Sequence, residues 1–352
     1  MGKTNRLRMM NLAQKPVTIL TGFLGAGKTT LLNHLLQQNQ GIRYAIIENE
    51  FGEQGIDSEL VVRPEETIVE LNNGCLCCTL NDNLYDILND LFDRRDDFDE
   101  IIIEATGVAD PTGLAQPFVS HPLIKEHFPL QAVICLVDAE LIEDHLKETE
   151  EAKNQVAYSD VLLINKTDLV SPDYVEELTA RLKQLNPLAR ILAGSKGSFP
   201  VIEAQTQESP LEALLLPADG HAHAVGTETE FPVAKPHSHH HHHHTEEIIS
   251  HSFHFDQPFD LDMLEQQLFV YLMVQSGVYR IKALVSPGTT NERYLVQSVG
   301  KRLDVEAKGT WPEGDKRQSV FVFIGKKLKR DGIEQLLSQC LRKRSTLENT
   351  DV

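Results

Sequence analysis

The string Gly22-Phe23-Leu24-Gly25-Ala26-Gly27-Lys28-Thr29 constrains this chain more than any other feature. It fits G-x-x-x-x-G-K-[ST] in full, after the apolar run VTIL (17–20) and before TLLNHLL (30–36), whose leucines repeat at helical spacing. A phosphate loop needs that context. The strand delivers the loop, the glycines let backbone N–H groups converge on an anion, and the helix N-terminus adds its dipole. Lys28 is expected to reach the β- and γ-phosphates and Thr29 to hold Mg²⁺, with Gly22, Gly25 and Gly27 completing the cradle.

Further runs that are apolar throughout follow at helix-length intervals: YAIIE (44–48), EIIIE (100–104), AVICLV (132–137), VLLIN (161–165) and RILA (190–193), with a strand-like Thr67–Leu71 between the first two. Such runs mark strands buried on both faces, so the fold class expected is α/β, a doubly wound, mostly parallel sheet. Ser171, Pro172 and Asp173 form a helix start: an N-cap, a proline at the first helical position and an acid in the first turn. Composition changes near residue 200, where a Pro, Gly, Thr and Glu stretch holds nine of the fifteen histidines between His221 and His244. From Ile248 a smaller α+β C-terminal domain is expected, with strands at 248–255, 279–285, 293–299 and 319–325 and helices from Leu261 to Gln275 and from Gly332 to Arg344. The expected divisions are an extension (1–15), the phosphate-loop domain (16–203), a His-rich linker (204–247), the C-terminal domain (248–346) and a tail (347–352).

The chain carries 33 Lys+Arg against 52 Asp+Glu, a formal net charge of −19, which repels a phosphate backbone and argues against nucleic acid as a partner. No run approaches the ~20 apolar residues of a spanning helix, and the first residues lack the apolar core of a signal peptide. No membrane partner and a cytoplasmic location are expected. Three of the five cysteines crowd into Cys75, Cys77 and Cys78, too close for a disulfide framework and suited to a reducing compartment.

Asn165-Lys166-Thr167-Asp168, at the end of the strand VLLI, specifies the base. A carboxylate there accepts hydrogen bonds from guanine N1–H and its exocyclic amine, and adenine has neither donor in those places. Ala193-Gly194-Ser195 stands where backbone contacts to the base are expected. Glu104 in Glu104-Ala105-Thr106-Gly107 supplies the acid at the tip of the strand beside the phosphate loop, to hold Mg²⁺ through water or to orient an attacking water; Gly107 is counted among the nucleotide contacts.

Asn73-Gly74-Cys75-Leu76-Cys77-Cys78 places three soft thiolate donors in four residues, suited to Zn²⁺, with Co²⁺, Ni²⁺ or Cu⁺ as further options, and leaves one tetrahedral position for an incoming ligand. Thiol exchange chemistry suits the same string. Acids of Glu48-Asn49-Glu50-Phe51-Gly52-Glu53-Gln54-Gly55 are candidates to complete a metal shell or help hold Mg²⁺, and are equally well read as a solvated acidic loop. The run His239, His240, His241, His242, His243 and His244 suits loose, reversible binding of Zn²⁺, Ni²⁺ or Co²⁺, or is a low-complexity insertion.

GFLGAGKT, ENEFGE, NGCLCC, EATG and NKTD occur in this order, with Trp311-Pro312 and FVFIGKKL near the C-terminal end. Together they resemble the CobW-like metallochaperones, a branch of the P-loop GTPases in which the Glu of EATG replaces the usual Asp. The resemblance implies that residues Gly25 to Thr30 bind phosphate and Mg²⁺, that Asn165 and Asp168 read guanine with Lys166 beside them, and that Glu104 serves hydrolysis. It also implies that Cys75, Cys77 and Cys78, with Glu48 or Glu53, bind the transferred metal. The function expected is a GTP-hydrolysing metallochaperone using GTP, Mg²⁺ and Zn²⁺ (or Co²⁺ or Ni²⁺), with a client metalloprotein as partner and a nucleotide- or metal-dependent homodimer as an assembly. A metal storage protein is the alternative, but it has no need of a phosphate loop or NKTD. A small-molecule kinase would need an acceptor pocket that the sequence does not show.

Overall fold

The computed structural model describes residues 14–38, 41–48, 68–70, 80–199, 248–311 and 317–342. Seven strands form one parallel sheet: β1 (Val17–Gly22), β2 (Tyr44–Glu48), β3 (Ile68–Glu70), β4 (Glu100–Glu104), β5 (Leu130–Asp138), β6 (Val161–Asn165) and β7 (Arg190–Ala193), in the order β3-β2-β4-β1-β5-β6-β7. Every described pairing in it is parallel, so the expected doubly wound sheet is present and wholly parallel among the described residues.

Alternation explains why each strand is apolar on both faces. Ile101 and Ile103 of β4 point into a cluster with Leu84, Leu88 and Leu91 of α2 (Leu80–Asp93) and with Leu114 and Phe118 of α3 (Pro111–Ser120). Ile102 points the other way, to Leu31, Leu32 and Leu35 of α1 (Lys28–Gln38). Asp110 caps α3 by accepting from Thr112 N–H at 2.9 Å, and Pro111 occupies its first turn. The sheet is completed by α4 (Pro122–His127), α5 (Ile142–Glu148), α6 (Glu150–Tyr158) and α7 (Pro172–Leu185). The Ser171 hydroxyl accepts from Tyr174 N–H at 3.3 Å, so α7 starts as its sequence indicates. Among the described residues no helix is long and apolar enough to cross a membrane.

The second unit is an antiparallel sheet of β8 (Ile248–Phe255), β9 (Val278–Val285), β10 (Glu292–Val299), β11 (Arg302–Thr310) and β12 (Ser319–Lys326), in the order β11-β10-β9-β12-β8. One face is covered by α8 (Leu261–Val274) and α9 (Arg330–Gln339) through Leu264, Leu268, Leu272, Ile333 and Leu337. Two sequence expectations are corrected here. β11 was not expected: its apolar Leu303 and Val305 alternate with Asp304 and Glu306, charges that an edge strand tolerates. The last helix runs from Arg330 to Gln339 rather than from Gly332 to Arg344, because Leu341 pairs with Phe259 as a β-bridge.

The other face of this sheet meets the parallel-sheet unit. Ile248, Val322 and Ile324 form one apolar cluster with Ala157 of α6. Asp160, just beyond α6, accepts from Arg280 at 2.7 Å and Lys282 at 3.1 Å, and the Arg280 guanidinium lies 4.8 Å from the centre of the Tyr158 ring. On α4, Lys125 pairs with Asp304 at 2.7 Å and Glu306 at 3.2 Å.

Candidate functional site

β1, β2, β4, β5 and β6 all end at one sheet edge, and the sheet order puts β4 beside β1 there, the place where open α/β sheets bind ligands. The phosphate loop leaves β1 at Gly22. Its backbone takes φ of +139° at Gly22, +74° at Gly25 and +102° at Gly27, values that side chains resist. Space sets a second demand. A Cβ at Gly27 would lie 2.5 Å from Asn165 Nδ2, and one at Gly22 would lie 2.4 Å from Leu136 O. Ala26 is buried, whereas Gly25 and Thr30 face solvent.

Lys28 opens α1 and is 9% exposed; its ammonium donates to Gly22 O at 2.8 Å and Phe23 O at 3.4 Å, which folds it back over the loop. The Thr29 hydroxyl donates to Glu104 Oε1 at 2.9 Å. Glu104 stands opposite Leu20 of β1 on one side and Glu48 of β2 on the other, and Ala105 N–H donates to Leu20 O at 2.8 Å. A hydroxyl and a carboxylate at this spacing are hard oxygen donors of the kind Mg²⁺ takes, so the residues present fit that ion.

Past Glu104 the chain runs back across the phosphate loop. A Cβ at Gly107 would lie 2.5 Å from Leu24 N, so this crossing is backbone against backbone and only glycine fits. The Thr106 hydroxyl is buried there without a hydrogen-bond partner. The Phe23 ring of the loop packs at a 37° tilt against His145 of α5, centroids 4.0 Å apart.

Asn165, Lys166 and Asp168 reach the same edge by different means. Asn165 is 2% exposed; its Nδ2 donates to Ala26 O at 2.9 Å and its Oδ1 accepts from Gly197 N–H at 3.4 Å. It therefore ties the phosphate loop to the loop after β7. Lys166 takes φ 61° and donates to Asp138 Oδ2 at 2.6 Å. Thr167 N–H and hydroxyl both donate to Gly194 O, at 3.3 and 2.9 Å, which holds Asp168 at the surface in a short 3-10 turn (Thr167–Leu169).

Sequence reasoning passed over Asp138, Gln155 and His145. Asp138 carried a signal: a lone acid closing an otherwise apolar strand, level with Asn165 across the β5–β6 pairing. Gln155 and His145 sit on helices with no motif around them. Glu53, Cys75, Cys77, Cys78 and His239 to His244 lie outside the described residues, as does the Glu48 side chain. Among the described residues no group of three or more His, Cys, Asp or Glu side chains is placed to hold a metal. The two described cysteines, Cys135 and Cys340, are buried, and burial pushes their thiols up to about 12 and about 11.

Residues 16–193 match the CobW/HypB/UreG nucleotide-binding domain, and residues 248–341 match the C-terminal domain of the cobalamin synthesis protein CobW. The zinc chaperone CobW of Pseudomonas aeruginosa is 34% identical over 371 aligned residues, covering 95% of this chain and 94% of its own. The zinc chaperone YjiA of Escherichia coli is 33% identical over 322, covering 90% and 96%. The crystal structure of Zn(II)-bound YjiA GTPase from E. coli superimposes with a TM-score of 0.62 at 29% identity, over 94% of this chain and all of that one. Two family matches in the right order, and relatives matched nearly end to end, show that the chain belongs to the CobW branch of the CobW/HypB/UreG nucleotide-binding proteins.

Proposed function

We propose that this protein is a GTP-hydrolysing metallochaperone that takes Zn²⁺ as cargo and couples its release to a client metalloprotein to the nucleotide cycle. The observation that carries this reading is the convergence of Lys28, Thr29, Glu104 and the Asn165–Asp168 loop on one sheet edge, in a chain related over nearly its whole length to proteins named zinc chaperones. Lys28 and the loop N–H groups would hold the phosphates, and Asp168 would accept from guanine. Thr29 and Glu104 would hold Mg²⁺, which supplies charge neutralisation at the phosphates when bound. Glu104 would also orient the attacking water at the strand end.

Cys75, Cys77 and Cys78, with Glu48 or Glu53, are proposed as the cargo site, and the histidines at 239–244 as a loose capture arm; Co²⁺ and Ni²⁺ suit the same donors. By linkage, if GTP tightens cargo binding, cargo tightens GTP binding by the same factor. A cytoplasmic location and a nucleotide- or metal-dependent homodimer complete the reading. Metal storage alone would leave the guanine loop and the Thr29–Glu104 pair without a task.

The test is GTP hydrolysis by the full chain with and without Zn²⁺, beside Glu104→Ala. The expected outcome is slow turnover that Zn²⁺ alters, lost in the variant while GDP binding persists. Wild-type turnover in Glu104→Ala would remove that residue from the chemistry, and equal affinity for ATP and GTP would remove the guanine assignment.

A further inference from the structure

Gln155 lies in the middle of α6 and is 1% exposed, among the buried Ala152, Val156 and Ala157. Its Nε2 donates to Gly107 O at 3.1 Å and to Ala109 O at 3.2 Å. Both partners are carbonyl oxygens, so only the NH₂ end of the amide can face them, and chemistry alone settles the side chain's orientation. An apolar side chain would suit the neighbours better. What the amide gains is a hold on two carbonyls of the single turn that follows β4 after Glu104, the same chain whose Gly107 lies against Leu24 of the phosphate loop.

The helix that carries Gln155 is fastened to the C-terminal domain at both ends. At its start, Glu150 accepts from the Tyr279 hydroxyl at 3.0 Å and from the Lys326 ammonium. Just past its end, Asp160 accepts from Arg280 and Lys282. The nine residues of α6 thus stand between the C-terminal domain and the loop at 105–109, with Gln155 the side chain that reaches that loop's carbonyls.

We propose that Gln155 is a positioning residue for nucleotide turnover, holding the loop after Glu104 against the phosphate loop and tying its placement to the seating of the C-terminal domain. It acts through the backbone carbonyls of Gly107 and Ala109. The proposal rests on the GTPase reading above. Misplacement of catalytic groups by about 1 Å costs up to about a hundredfold in rate, so a lost latch is visible in turnover even where the fold survives.

The test uses the full chain with Gln155→Leu, which removes the donor, and Gln155→Glu, which sets a carboxylate against two carbonyls. Affinities for fluorescent GDP and for a non-hydrolysable GTP analogue are measured beside single-turnover hydrolysis. Expected is GDP affinity within about twofold of wild type, with the rate down by at least about tenfold and the preference for the triphosphate analogue over GDP reduced. A merely structural role would lower all three together. A double variant on the C-terminal domain, Tyr279→Phe with Lys326→Met, should slow hydrolysis in the wild-type background and add nothing to Gln155→Leu, since the two act through one helix. Wild-type rate in Gln155→Leu, or additive losses, would overturn the proposal. If the wild type binds GTP but never hydrolyses it, the GTPase reading falls instead; the latch then stands or falls on whether Gln155→Leu changes the triphosphate-to-GDP preference.

Discussion

Lys166 donates to Asp138 over 2.6 Å, so the residue of the 165–168 turn with left-handed backbone is held by the acid that closes the adjacent strand. Non-glycine residues in that conformation cost of order 1–3 kcal/mol and persist where the surroundings fix them. Asp138 is buried, and its other oxygen accepts from Glu140 N–H at 3.0 Å, so the acid is itself fixed. Asp138→Asn should loosen the base loop and weaken GTP and GDP alike, by about tenfold, the cost of about 1.4 kcal/mol. Titration with fluorescent nucleotides measures both. A loss confined to GTP would mean that Asp138 acts at the γ-phosphate.

Asp168 is exposed at the mouth of the same loop, free of the contacts that hold Thr167. Asp168→Asn replaces an acceptor by a side chain that can donate. The expected result is weaker GTP binding and stronger binding of xanthosine triphosphate, whose C2 carbonyl suits an amide donor. Unchanged selectivity between the two nucleotides would place guanine recognition elsewhere.

The sheet and the phosphate loop were legible because each rests on local chemistry. Strands buried on both faces read as unbroken apolar runs, and a glycine-rich turn between strand and helix has few other uses. β11 was hidden by its charges: Asp304 and Glu306 read as surface, and their partner Lys125 lies far away in the sequence on α4. Asn165 was legible as a member of NKTD, but not the strut it forms between Ala26 and Gly197, because that role depends on Gly27 leaving room for its amide. Gln155 had no local signal at all, since its partners lie 48 and 46 residues away.

That strut makes Gly27 testable in its own right. A methyl group there meets Asn165 Nδ2 at 2.5 Å, in a backbone conformation of φ +102°. Gly27→Ala should destabilise the folded protein by about 1–3 kcal/mol and abolish nucleotide binding. Thermal unfolding with and without GDP measures both effects. A variant still stabilised by GDP as much as wild type would show that the Ala26–Asn165 tie is dispensable.

Cysteine reactivity should divide the five thiols cleanly. Burial holds Cys135 at about 12 and Cys340 at about 11, so neither supplies thiolate near neutral pH. In the native protein both should be silent to a disulfide reagent and react only on unfolding. If Cys75, Cys77 and Cys78 bind the cargo, they should react rapidly in the metal-free protein and be protected by Zn²⁺. Fast labelling of Cys135 in the native state would contradict its burial in the sheet, and rapid labelling of all three clustered thiols under saturating Zn²⁺ would contradict the cargo site.

The junction between the two domains should weaken in acid through Glu150 and Asp160. Burial works against the Glu150 carboxylate, but hydrogen bonds from Lys153, Lys326 and Tyr279 outweigh it and bring it down to about 2 from an ordinary value of 4.5. Asp160 likewise lies below the usual carboxylate range: burial would raise it, and Arg280, Lys282 and the Val133 N–H overcome that. A depressed acid binds fewer protons in the folded state than in the unfolded one. Its contribution is therefore complete above the unfolded value, and is lost as pH falls from about 4.5 towards about 2. Thermal stability should be nearly flat with respect to Glu150 between about pH 5 and 8 and should drop below that window. Glu150→Gln should lower the plateau slightly, because Glu150 is half exposed, and should flatten the acid limb so that the two curves converge near pH 2. An acid limb of unchanged steepness in Glu150→Gln would show that other carboxylates, not this contact with Tyr279 and Lys326, set the acid lability of the protein.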